Sequence, residues 1–182
     1  MRRLMVTLAF GLVARATTLQ AQGSYVPATE MPNGREIVAV YLGAQSCAPC
    51  LLPSVKEAVR GMKGLLAAQA KANGAAFAAI GVANDWSIAE ATAFIGSVGP
   101  FDQLVLGGNW TNLAIERFVW RDSAGTPAMP QVLVFERTVT PGADGIVFSN
   151  MRLVHRSLGH DSIPAWVRNG APIPLASGRF LR

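Results

Sequence analysis

Two hydrophobic rhythms alternate along this chain. Ile37 to Leu42 (IVAVYL) is an unbroken apolar run rich in β-branched residues. It predicts a strand buried on both faces. From Cys50 to about Ala72 the period changes, and Leu52, Val55, Val59, Met62 and Leu66 recur at spacings of three and four. That predicts an amphipathic helix, with Lys56, Arg60 and Lys63 on a solvated face. Pro53 suits only a first turn, so the helix is expected to start near Pro49 or Cys50. Asn73-Gly74 closes it. Ala76–Ala83 (AFAAIGVA) predicts a second buried strand. Ser87 and Glu90 form a capping box for a helix that reaches about Val98 and stops at Gly99-Pro100. Leu104–Leu106 reads as a very short strand, Thr111–Val119 as helical, and Ser123–Pro127 as a turn. Gln131–Glu136 (QVLVFE) is a third clear strand, entered directly from Met129-Pro130. A hairpin-type connection over Thr140–Gly145 leads to a strand over Met151–Ser157. Asp161 or Ser162 then caps a last helix that ends at Arg168.

The order β–α–β–α–α–β–β–α predicts an α/β fold, a mixed sheet with helices on both faces. Residues 36–170 carry it, after an irregular lead-in over 22–35. The tail 171–182, with two prolines and a glycine, is expected to be loose.

Composition agrees with one packed domain: 51% of the 182 residues are apolar and 15% are charged. The formal charge is +5, but it forms no block and no basic–aromatic stripe. Nucleic-acid binding is not expected. Part of the charge belongs to the first 21 residues. Arg2 and Arg3 precede ten apolar residues, Leu4–Val13, followed by Ala14-Arg15-Ala16 and Leu19-Gln20-Ala21. This is the pattern of a signal peptide cleaved after 16 or 21, and it predicts an exported, periplasmic protein. Ten apolar residues are too short for a bilayer span, which needs about 20. No stable membrane span is expected beyond this leader. A short helix packed on the domain is the alternative.

The chain has two cysteines, Cys47 and Cys50. A disulfide-stapled fold would scatter more of them. A bridge across so short a loop also stabilises little, so an inert structural bridge is the weaker reading. A zinc site needs two further ligands, and only His155 and His160, far along the chain, are on offer. No metal site is expected. Reactivity explains the pair better. Cys47 stands where a buried strand ends and a helix begins, so free N–H groups and the helix dipole favour its thiolate. Cys50, one turn on, is placed to resolve a mixed disulfide. Pro49 stiffens the loop and lacks an N–H, and Ala48 and Pro49 bring no charge.

The segment Ile37–Val59 around Cys47-Ala48-Pro49-Cys50 resembles the active-site region of thioredoxins. Met129 to Phe135 resembles that family's cis-proline loop and the strand after it. The resemblance covers about residues 33–170. The 79 residues between Cys50 and Pro130 leave room for an inserted strand–helix unit, Ala76–Ala83 with Ser87–Val98. In this the chain is similar to exported thioredoxin-like reductases of the cytochrome-c-maturation group. The resemblance implies a three-layer thioredoxin-like fold and disulfide exchange with a protein thiol substrate. It also implies an upstream redox partner, no cofactor, and a monomer. It implies that Pro130, rather than Pro127, is the cis-proline and that Met129 offers its backbone to substrate. Three positions depart from the family. Ser46 replaces a tryptophan before the first cysteine, Tyr41 replaces a buried acid, and Pro53 replaces a proline expected at Val55. Glu57 lies about 10 Å along the helix and is not expected to substitute for the acid. Two further readings are a catalytically weak binding module and a thiol metallochaperone for Cu(I).

Overall fold

The computed structural model describes residues 25–121 and 127–175. Residues 1–24, which include the predicted leader, most of the predicted Ser123–Pro127 turn, and residues 176–182 lie outside the described residues.

The first strand, β1 (Gly34–Gly43), is buried along nearly all its length. An all-apolar run like this needs cover on both faces, and it receives it. A 3-10 turn over Ala48–Leu51 leads into α1 (Pro53–Ala72). Then follow β2 (Ala76–Ala83), α2 (Ile88–Gly96) and β3 (Gln103–Leu106). A 3-10 turn at Asn109–Thr111 precedes α3 (Leu113–Ile115), which runs on into a π-helical turn, Glu116–Arg121. The chain closes with β4 (Gln131–Gly142), β5 (Gly145–Leu158) and α4 (Ser162–Arg168).

The sheet order is β3-β2-β1-β4-β5. β1, β2 and β3 run parallel, while β4 is antiparallel to β1 and β5 antiparallel to β4. Alternate residues of β1 serve two cores. Ile37, Ala39 and Tyr41 pack with α1, α2 and α4. Val38, Val40 and Leu42 pack with α3 and its π-turn. This is a three-layer, thioredoxin-like α/β architecture. The strand–helix unit β2–α2 fills the stretch predicted as an insertion, and β3 completes it as an edge strand.

Several local expectations are corrected. α1 starts at Pro53, because the 3-10 turn occupies Ala48–Leu51, and Leu52 is left exposed. Val55, Val59, Met62 and Leu66 are fully buried as predicted, but so is Lys63. Its ammonium donates to the carbonyls of Val98 (3.2 Å) and Pro100 (2.8 Å) and lies 3.9 Å from the Phe101 ring centre. The helix expected over Thr111–Val119 restarts at Asn112, whose side chain accepts from the Ala114 N–H and donates to the Gly107 carbonyl. The terminal hairpin is longer than expected, because β4 and β5 pair from Gln131↔Leu158 to Gly142↔Gly145, past the point at Val139 where β4 leaves β1. Of the tail, Ala171 is buried, and Ile173 and Leu175 pack against the α1–α4 core.

Candidate redox site

Parallel strands end together, and an antiparallel neighbour starts where they end. Leu42 pairs with Gln131 and Gly43 with Ala83, so beside the loops after β3 and β5, three neighbouring loops of β1, β2 and β4 open on one end of the sheet. They are Ala44–Leu52, Asn84–Ser87, and the approach to β4 through Met129-Pro130. The chain builds outward from β1 through β2 and β3, then crosses back to place β4 on the other side of β1. The cysteines therefore follow the strand at the topological switch point, where open α/β sheets form their binding crevices.

Gly43 makes the turn out of β1. A Cβ there would lie 2.7 Å from the Tyr41 hydroxyl and 2.7 Å from Phe94 Cζ, so only glycine fits. Cys47 then takes the extended N-cap position of the 3-10 turn. Cys47 and Cys50 form a disulfide with Cα atoms 5.3 Å apart. The Cys50 N–H donates to the Cys47 carbonyl (2.9 Å) and reaches Cys47 Sγ (3.3 Å). The two cysteines differ in access. Cys47 is half-buried, whereas Cys50 is fully buried beneath α1. Ala48 is exposed and Pro49 half-buried in the loop between them.

The Met129–Pro130 peptide is cis. Pro130 is buried and Met129 half-buried, while Pro127 is exposed. The Gly159 N–H donates to the Pro130 carbonyl (2.9 Å), and Gln131 Nε2 donates to the Ala128 carbonyl (3.1 Å). Both bonds tie this loop to its own end of the sheet. Met129 and Cys47 both pack on the edge of the α1-side core.

Tyr41, where the resemblance to thioredoxins placed a buried acid, is fully buried, its ring 6.3 Å from that of Phe94. Its hydroxyl has no partner, and burial pushes its pKa up, so it stays a neutral phenol. Glu57 is exposed on α1. The acid that does approach the loop is Asp85, which the sequence reading missed. Asp85 is 3% exposed, and its carboxylate accepts from the Gln45 N–H (3.0 Å), the Ser46 N–H (3.3 Å) and Ser46 Oγ (3.4 Å). A signal for it existed. Two predicted parallel strands must end side by side, which brings the residues after Ala83 next to those after Gly43.

The histidines do not join this site. His155 stacks on Trp166 at 4.1 Å, and burial pushes its pKa down. His160 lies on the surface, 3.5 Å from Asp161. Among the described residues no three His, Cys, Asp or Glu side chains group as a metal site, and no helix is long and apolar enough to cross a membrane.

Fold and site together define a thioredoxin-like α/β domain with a Cys-x-x-C disulfide at the switch point of its sheet. No family model, curated protein or solved structure matches the chain.

Proposed function

We propose that this chain is an exported thiol–disulfide oxidoreductase of the thioredoxin-like superfamily, exchanging disulfides with protein thiols through Cys47 and Cys50. The reducing direction is slightly favoured. The observation that carries the reading is the asymmetry of the disulfide: a half-exposed Cys47 at the start of a helical turn, and a fully buried Cys50 behind it. A structural bridge needs no such difference. A nucleophile and its resolving partner do.

In the reducing direction the Cys47 thiolate attacks one sulfur of a substrate disulfide. That S–S bond breaks, and the departing substrate thiolate takes up a proton. Cys50 loses its proton and attacks the Cys47 sulfur of the mixed disulfide. The second substrate thiolate leaves and is protonated by water. Two electrons have passed to the substrate, and the protein holds the Cys47–Cys50 disulfide. A separate dithiol protein must reduce it again, and sulfur alone carries the electrons. Met129, beside cis-Pro130, offers backbone to an extended substrate segment. Export, to a periplasm or another oxidising space, rests on the leader pattern of residues 1–21.

Equilibration of the full chain in glutathione buffers tests this. A reversible couple between about −270 and −120 mV is expected. A pair that stays oxidised below about −300 mV is a structural bridge and sinks the reading.

A further inference from the structure

Sheet pairing of β1 ends at Gly43, with the Asn84 N–H on the Gly43 carbonyl at 2.8 Å. Gln45 and Ser46 lie beyond it, exposed, and Cys47 follows directly. Their anchor is Asp85. Three hydrogen bonds from these two residues end on its carboxylate, which is buried while its donors are not. The charge is also the one buried acid beside the cysteine loop among the described residues. Among the described residues of segments 43–51, 84–87, 107–112 and 127–130, which open on this end of the sheet, Asp85 is the one charged residue; the turn after β5, which opens on the same end, carries the exposed Asp161 beside His160.

We propose that Asp85 is a positioning residue of the redox site that also sets its direction. It clamps the two residues before Cys47 and opposes the Cys47 thiolate. This rests on the oxidoreductase reading. The disulfide is neutral, whereas the reduced pair develops its charge on Cys47. A nearby negative charge therefore raises the energy of the reduced state alone. The disulfide is favoured, and the dithiol becomes the stronger reductant. The helical turn after Cys47 acts in the opposite sense, so Asp85 offsets it.

The test compares wild type, Asp85→Asn and Asp85→Ser, each as the full chain, in glutathione buffers at pH 7. Far-UV circular dichroism confirms folding. Asp85→Asn keeps an oxygen acceptor and loses the charge. It is expected to move the equilibrium about tenfold toward the reduced pair, about 30 mV less negative. Alkylation of reduced Cys47 by iodoacetamide should quicken by a similar factor, because more of it is thiolate. Ser46→Ala, which keeps the charge and both amide bonds, should leave the potential unchanged. Asp85→Ser carries the comparison if asparagine is not tolerated. A folded, charge-free variant with the wild-type potential overturns the role of Asp85 while leaving the oxidoreductase standing. A wild-type pair that glutathione cannot reduce overturns both.

Discussion

Lys63 lies midway along α1 with its ammonium held against the Val98–Phe101 segment by two carbonyls and an aromatic face. Burial, with a smaller contribution from Arg60, pushes its pKa down to about 8 from the usual 10.5. A lysine depressed in the folded state binds fewer protons there than in the unfolded chain. Stability must then rise with pH across the window from about 8 to 10.5. Tyr25 and Tyr41 are both pushed up, so their opposing effect begins only above their ordinary value of 10.0. Between pH 8 and 10 the oxidised wild type should gain about 1–2 kcal/mol relative to Lys63→Met, read from urea unfolding at each pH. Parallel pH profiles for the two proteins would remove Lys63 as their cause. Helical spacing puts Lys63 beside Val59 and Met62, and the sequence alone reads it as solvated. Only the chain at Val98–Phe101 supplies the acceptors that let it be buried.

The helix α1 does two things for the site. Its start sets Cys50 under the loop, and its apolar face fixes that start against β1. Val55, Val59, Met62 and Leu66 are all fully buried, and Cys50 belongs to the same core as Ile37, Ala39 and Tyr41. Met62 stands at the centre of this stripe. Met62→Ala should destabilise the protein by about 2–5 kcal/mol in urea unfolding, the usual range for an emptied core position. A loss well under 1 kcal/mol would mean that the stripe does not hold the helix. The stripe was readable in the sequence because helical spacing is local. The first turn was not, because Pro49 and Pro53 each suit a helix start, and the chain uses both in turn, for a 3-10 turn and then for α1.

Across the molecule, the residues after α4 close the α1 side of the sheet. Ala171 is fully buried, and Ile173 and Leu175 rest on the same core. Gln69 Nε2 donates to the carbonyls of Gly170 and Ala171, and the Trp166 indole donates to the Pro172 carbonyl. The tail thus ties α1 to α4, over the face that supports the cysteine loop. Ending the chain at Gly170 should lower the Tm by roughly 5–10 °C, the size expected for losing two partly buried aliphatic side chains and these bonds. An unchanged Tm would show the segment to be dispensable. Prolines and a glycine made it read as loose, since composition does not reveal which core a short apolar segment will meet.

The sequence by itself determined the rhythm of strands and helices, the α/β class, and the placing of Cys47 and Cys50 at a strand-to-helix junction. Each of these depends on residues a few positions apart, where periodicity, proline and glycine act. The tertiary structure decided what depends on distant chain meeting. It made β3 an edge strand and left Cys47 accessible over a buried Cys50. It brought Asp85, 40 residues away, onto the amide of Gln45, and set the carbonyl of Pro100, 37 residues away, over Lys63. Such contacts follow from strand order and register, and those are settled only when the whole sheet buries its two faces at once.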